Sequence, residues 1–305
     1  METIKYTHTD DYVTELLFYP CDTPPKATML LLHGMAEHYE RYCNFISFLN
    51  SNGIDCYIFN YRGHGKEFTV ASQGNALKGR AHNTYVMDVI RIAKYIRQHK
   101  RTSSFFLYGH SFGSILARNV IQKDSDFSGI ILGSTTYYSP VNAHFSAALA
   151  SCICFFTGRH KKGSLFDRII FGNKQYQCFE GRTYYDWISS DNVEVGKYIN
   201  DQYCGYIYAN GFYKDLAILN KYASSAKRIR RTDKSLPIIL LSGSKDPVTN
   251  FTKSIEALEG LYDRLGFTNV SSIIYPDARH EILNDISRDN VMSDILEFIS
   301  TNTGQ

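Results

Sequence analysis

A serine held between two glycines where a strand turns into a helix is the feature that most restricts what this chain can become. Gly109-His110-Ser111-Phe112-Gly113 follows an apolar, strand-like run (Phe105, Phe106, Leu107, Tyr108) and opens a helix-like one (Ile115, Leu116, Ala117, Val120, Ile121). So sharp a turn strains the backbone at the serine and exposes its hydroxyl, while the glycines let neighbouring backbone approach. The pentapeptide alone arises by chance in many chains, and its strand–turn–helix context is what gives it meaning. A serine hydroxyl is a poor nucleophile at neutral pH unless a base takes its proton and a third group orients that base. The turn therefore calls for an acid and a histidine further along.

Both follow, in the order Ser, Asp, His. Pro237-Ile238-Ile239-Leu240-Leu241 reads as a buried strand that ends in Ser242-Gly243-Ser244-Lys245-Asp246-Pro247. Ser271-Ser272-Ile273-Ile274-Tyr275-Pro276 reads as the next strand, followed by Asp277-Ala278-Arg279-His280-Glu281. Catalytic groups gather at the carboxyl ends of strands in an open α/β sheet. Taken singly, Asp246-Pro247 is a turn and His280 a loop histidine. Together they make Ser111 the candidate nucleophile, His280 the general base and Asp246 its orienting carboxylate. Because His280 must be neutral to accept the serine proton, kcat/KM is expected to rise through an ionisation near the ordinary histidine value of about 6.5.

The pattern around these blocks predicts an α/β fold. Val13 to Tyr19 reads as a strand of an N-terminal hairpin and Thr28 to Leu32 as a buried strand ending in His33-Gly34. A helix over 39–50, a strand over 55–60 and a long helix over 84–99 come next; Ser128 to Leu132 is the strand after the serine helix. Strands alternating with helices imply a mostly parallel central sheet with helices on both faces. The alternation lapses at about residue 134 and resumes near 236. The expected organisation is thus a core of residues 1–133 and 236–305 with a mainly helical cap (lid) inserted at 134–235.

Composition excludes several classes. A chain of 305 residues buries a substantial core without disulfides or metals. A formal net charge of +3 gives no argument for nucleic acid. The basic cluster Lys227, Arg228, Arg230, Arg231 and Lys234 reads as a solvated loop or helix end, with a phosphate or anionic-membrane contact as the alternative. Seven cysteines at irregular spacings fit no zinc site, so no metal and no cofactor is expected. The first residues lack the apolar run of a signal peptide, no segment is read as long enough to span a membrane, and the expected setting is cytoplasmic with reduced thiols. The oligomeric state is left open.

With these blocks in hand, the chain resembles the α/β-hydrolases of the monoacylglycerol lipase and bacterial lysophospholipase group. The resemblance rests on His33-Gly34-Met35-Ala36-Glu37-His38, Tyr61-Arg62-Gly63-His64-Gly65, Gly109 to Gly113, Asp246, and Ala278-Arg279-His280-Glu281-Ile282-Leu283-Asn284. Tyr185-Asp186-Trp187-Ile188-Ser189 and Asp201-Gln202-Tyr203-Cys204-Gly205 in the cap are also similar to bacterial members. Asn60 stands where many relatives have Asp, Glu67 where many have Ser, and Ser114 where a third glycine is frequent. The resemblance implies an oxyanion hole made by the amides of Met35 and Phe112, with Gly34 beside the substrate. His33, His38, His64 and His110 read as structural fillers of backbone turns.

The function expected on these grounds is hydrolysis of carboxylic esters of lipids with one acyl chain. The run Phe145 to Phe156 is apolar almost all round. It reads either as a helix packed on the cap's own core or as a lid that walls an acyl pocket and touches lipid. The second reading names Leu149, Ile153 and Phe156 as substrate contacts and implies transient contact of the cap with a membrane surface. Two alternatives stand beside it. A peptidase or amidase of the same fold would use Asp186, Asp191 and Glu194 for a free amine, and a non-catalytic hydrolase fold would bind a small molecule.

Overall fold

The computed structural model describes residues 1–66, 74, 77 and 81–303. In chain order its elements are β1 (Glu2–Thr7), β2 (Val13–Tyr19), β3 (Ala27–Leu32), α1 (Cys43–Ser51), β4 (Ile54–Phe59), α2 (Ala81–His99), β5 (Phe105–His110), α3 (Phe112–Ile121) and β6 (Gly129–Gly133). Then come α4 (Pro140–Thr157), α5 (Ser164–Phe171), α6 (Asn192–Asn200), α7 (Asn210–Ala223), α8 (Ala226–Ile229), β7 (Ile238–Gly243), α9 (Lys253–Arg264), β8 (Val270–Tyr275) and α10 (Arg288–Asn302). The strands form one sheet in the order β1-β2-β4-β3-β5-β6-β7-β8. The first two pairings are antiparallel, and all pairings from β4 to β8 are parallel.

Strand periodicity divides the core into two layers. Leu30, Leu32, Phe105, Leu107, Ile130, Leu132, Ile238 and Leu240 face α2, α3 and α9. Their alternates Met29, Leu31, Phe106, Tyr108, Ile131, Ile239 and Leu241 face α1 and α10. A strand covered on both faces needs apolar residues at every position, which is why these strands read as continuous apolar runs. Burying each such side chain stabilises the fold by roughly 1.5–3 kcal/mol.

The sheet's winding reverses at β3. The chain leaves β3 for β4 on one side and returns to β5 on the other, which opens a crevice at their carboxyl ends. Leu32 pairs with Gly109 in register, so the loop after β3 emerges level with Ser111. Among the described residues, 134–235 contribute no strand to the sheet. Their helices pass over the strand ends, α4 packing on α7 and α7 on α3. Tyr176, Trp187, Ile188, Tyr198 and Cys204 form a small separate cluster within residues 134–235, whereas Phe212, Leu219 and Ala223 of α7 join the main core.

The helix α4 corrects one expectation. Ser139 caps its start by accepting from the Asn142 amide, and Pro140 fits the first turn, so the helix begins before Phe145. It reaches 18 residues with mean hydropathy 1.2, long and apolar enough to cross a membrane by length and composition. Its small-residue face (Ala143, Ala147, Ala150, Cys154) is the buried one.

Candidate active site

Ser111 occupies φ 49°, ψ −113°, the first residue outside α3 and level with the ends of β5 and β6. Its amide donates to the Gly133 carbonyl at 2.9 Å. The flanking glycines are steric necessities. A Cβ on Gly113 would lie 2.1 Å from the Leu32 carbonyl oxygen, and one on Gly109 would lie 2.5 Å from that of Gly113. Ser114, where a glycine is frequent in relatives, donates from Oγ to the Ser111 carbonyl at 2.5 Å.

The structure brings the three predicted residues together. His280 Nε2 lies 2.9 Å from Ser111 Oγ, and His280 Nδ1 lies 3.1 and 3.0 Å from the two Asp246 carboxylate oxygens. Asp246 is fully buried, and its Oδ1 also accepts from the Val248 amide at 2.8 Å. A carboxylate at Nδ1 fixes the tautomer that leaves Nε2 as acceptor for the serine proton. Ser134, which the sequence argument missed, steadies His280 by donating from Oγ to its carbonyl at 2.6 Å. Burial pushes the His280 pKa down, but the neighbouring carboxylates of Asp246, Glu281 and Glu37 outweigh it and hold the ring above the ordinary 6.5. The ionisation expected near 6.5 therefore moves to higher pH. A histidine hemmed in by three carboxylates favours its charged form.

A cavity of about 560 Å³ opens at Ser111, lined beneath by Gly34, Met35, Phe112 and His280 and above by cap residues. Phe112 is the first residue of α3, so its amide has no acceptor within the helix. Among the described residues neither the Met35 nor the Phe112 amide has a backbone partner. Gly34 is pinned by donating its amide to Glu37 Oε1, which also accepts from Tyr42 Oη at 2.8 Å. Glu37 Oε2 accepts from Arg41 Nε at 3.2 Å, and Arg41 bonds Glu281 in turn. Burial and the Glu281 charge push the Glu37 carboxyl up to about 7, against the pull of Arg41. Glu37 and Glu281 were legible as letters of two motifs, but Arg41 stood in neither and the triplet was not visible as a unit, since 240 residues separate Arg41 from Glu281.

The predicted cap contacts are a correction. Leu149, Ile153 and Phe156 do not line the cavity. Ile153 packs on the main core, and Phe156 is 78 % exposed. The apolar wall comes from Tyr138, Ile170, Phe171, Trp187, Ile207 and Leu216 instead. An apolar helix carries no sequence mark that distinguishes a cavity-facing side from a bare one.

The carboxylates named for a peptidase also lie elsewhere. Asp186 accepts from Arg182 and Thr183, Asp191 caps α6 and pairs with Arg288, and Glu194 pairs with Lys197 and Arg288. Asn60 Oδ1 accepts from the Tyr39 amide at 3.0 Å, and Glu67 lies outside the described residues. His33 and His110 are buried, which lowers their pKa well below 6.5. His38 differs from expectation. Its Nε2 lies 2.8 Å from Asp201 Oδ2, and with Cys204 the three offer ligand atoms within 4.8 Å of one another, a grouping a metal could use. Loop spacing could not show it, because Asp201 is 163 positions away and Cys204 lies beyond it.

The family described as "Serine aminopeptidase, S33" matches residues 23–287. The chain belongs to this family. Sequence and fold together place it among α/β-hydrolases of the monoacylglycerol lipase group. A monoacylglycerol lipase of Mycolicibacterium smegmatis is 23 % identical over 282 residues, covering 91 % of this chain and 89 % of that protein. An uncharacterized abhydrolase domain-containing protein of Dictyostelium discoideum is 22 % identical over 90 % of the chain, which spans about a quarter (26 %) of that protein's length. A thermostable carboxyl esterase from Bacillus coagulans superposes with a TM-score of 0.89 over 99 % of both chains at 23 % identity, which shows the shared fold.

Proposed function

We propose that this S33-family chain is a serine hydrolase that cleaves carboxylic esters of single-acyl-chain lipids, monoacylglycerols or lysophospholipids, through an acyl-enzyme on Ser111. The observation that carries the reading is a complete Ser111–His280–Asp246 chain opening into an apolar-walled cavity of about 560 Å³. Residues 134–235 act as the cap that roofs it. The family, the monoacylglycerol lipase relative and the esterase-like fold support ester hydrolysis.

In this reading His280 Nε2 takes the Ser111 proton as Oγ attacks the ester carbonyl carbon. Charge develops on the former carbonyl oxygen, where the amides of Met35 and Phe112 stabilise it, each worth about 2.7–4 kcal/mol in the transition state. His280 then hands its proton to the departing alcohol, leaving the acyl group on Ser111. Water attacks that ester with His280 again as base, and the fatty acid leaves. Asp246 keeps its charge throughout and orients the imidazole.

Each buried methylene of an acyl chain is worth about 0.8 kcal/mol, so a long chain needs the wall that Ile170, Phe171, Ile207 and Leu216 supply. Single-turnover rates over a series of acyl lengths test the substrate class. We expect kcat/KM to climb to at least medium chains. Ile170→Ser or Leu216→Ser should raise KM for octanoyl esters about tenfold and spare acetyl ones. A preference for acetyl over octanoyl esters, or for aminoacyl amides over any ester, sinks this reading.

The outer face of α4 supports transient contact with a membrane surface. Val141, Phe145, Phe155 and Phe156 are all more than half exposed, Leu165 and Ile169 of α5 are also exposed, and Lys161 and Lys162 lie between the two helices in the chain. The odd number and irregular spacing of the cysteines support a reducing, cytoplasmic setting.

A further inference from the structure

Ala36, the residue after Met35, sits at φ 53°, in the left-handed region that alanine rarely occupies. Alanine has no polar side chain to hold itself there, so the surroundings must. Both of its backbone groups are held from the cap. Its amide donates to Tyr208 Oη at 2.6 Å, and its carbonyl accepts from the Gly205 amide at 3.0 Å and from Tyr198 Oη at 3.1 Å.

The Tyr208 hydroxyl is aimed by a second partner. His64 Nδ1 lies 3.3 Å from the Arg62 carbonyl, which can only accept, so Nδ1 carries the proton and Nε2 is the acceptor. Tyr208 Oη therefore donates to His64 Nε2 at 2.6 Å, which leaves an oxygen lone pair for the Ala36 amide at 2.6 Å. Burial lowers the His64 pKa to about 4, so it stays an acceptor at neutral pH. The same tyrosine ring stacks on Phe212 with centroids 3.7 Å apart, and Phe212 packs on Phe112 at 5.3 Å. One buried cap residue thus reaches the loop that carries Met35 and, through a single ring, the residue that carries the other amide.

We propose that Tyr208 is a positioning residue for the oxyanion hole, holding Ala36 in its left-handed conformation so that the Met35 amide faces Ser111 only when the cap is seated. This rests on the serine-hydrolase reading. A wild-type chain that neither hydrolyses esters nor labels with a fluorophosphonate fails that reading, whereas the comparison below fails the proposal alone.

Tyr208→Phe keeps the ring and its stacking and removes the hydroxyl. With active sites counted by fluorophosphonate titration, kcat per site should fall about tenfold or more, by the same factor for acetyl and octanoyl esters, with KM unchanged. The kinetic pKa of His280 should stay where it is, because the triad is untouched. A trifluoromethyl ketone, which forms a tetrahedral adduct on Ser111, should bind more weakly by a similar factor. Tyr198→Phe removes one of two bonds to the Ala36 carbonyl and should show the same signature at smaller size; it carries the test if Tyr208→Phe does not fold. An unchanged kcat per site in both variants, or a rise in KM confined to octanoyl esters, overturns the proposal. The latter outcome would make Tyr208 a wall of the acyl pocket and nothing more.

Discussion

Gly113 packs so tightly under Ser111 that a Cβ there would meet the Leu32 carbonyl at 2.1 Å, whereas Phe155 on α4 is 82 % exposed. The two regions lie on the same molecule, one beneath the crevice and one on the outside of the segment that covers it, yet their sequences are constrained in opposite ways. Beneath Ser111 sterics admit one residue type at each of two positions, and three strand ends must deliver three side chains within 3.1 Å. On α4 the inner face is fixed by packing of small residues against α7, while the outer face answers to whatever the cap meets. The floor therefore tolerates almost no change, and the roof's outer face tolerates a great deal in solution.

The largest expected effect breaks the floor's chemistry without touching its packing. Ser111→Ala should lower kcat by about 10⁴-fold or more, since a triad member acts as part of a unit. Thermal unfolding should be nearly unchanged, because alanine fills the same turn. Ester hydrolysis persisting at the wild-type rate would remove Ser111 as nucleophile.

Gly113→Ala is the converse, breaking packing without touching a reacting atom. Its Cβ collides with the backbone of Leu32 and His33 and cannot swing away, so we expect a loss of about 3 kcal/mol in urea unfolding. Phe155→Ala on the bare face should change stability by no more than about 0.5 kcal/mol. Equal losses in the two variants would erase the contrast between floor and roof.

A smaller effect tests the electrostatics at the floor. His280 is held above 6.5 by Asp246, Glu281 and Glu37, so kcat/KM should be lost as pH falls through a limb above that value. The sign for stability is opposite. A raised histidine pKa contributes stability that is fully present below the unfolded value of about 6.5 and is lost as pH rises through the folded one. Glu281→Gln removes one of the three negative charges and should move the activity limb to lower pH. A limb that stays put, or moves up, shows that the Glu281 charge does not hold up the His280 pKa.

What the sequence made legible follows the same divide. The order of strands and helices, the α/β-hydrolase fold and the grouping of Ser111, Asp246 and His280 rest on local chemistry: glycines where a Cβ cannot fit, and polar residues at the ends of apolar runs. Such signals survive in a linear string. The apolar wall of the cavity did not, because Ile170 and Leu216 belong to helices whose apolar residues look like those of α4, and nothing local says which helix turns toward the crevice. Tyr208 and Ser134 were missed for a related reason. Their partners Ala36 and His280 lie 172 and 146 positions away, and a lone hydroxyl in a loop has many ordinary uses. Glu37 was visible as a letter, but its raised pKa depends on burial beside Glu281.

The smallest expected effect in solution is the one that decides what the roof is for. Phe155→Ser with Phe156→Ser replaces two exposed rings at the end of α4 that touch each other, 5.3 Å between centroids, and do not line the cavity. For a soluble short-chain ester below its aggregation limit, kcat and KM should match the wild type, because neither ring touches Ser111 or the acyl wall. Presented with the same enzyme on vesicles, the outcome should differ. Each ring removed from a membrane interface forfeits apolar burial worth roughly 25 cal/mol per Å², so cosedimentation with vesicles should fall severalfold and hydrolysis of vesicle-borne monoacylglycerol with it. If vesicle binding is unchanged while soluble-substrate kinetics shift, then the bare face acts on the crevice and not on lipid, and the division between a constrained floor and a free roof is wrong. If both are unchanged, α4 exposes its phenylalanines to no membrane, and the cap serves the cavity alone.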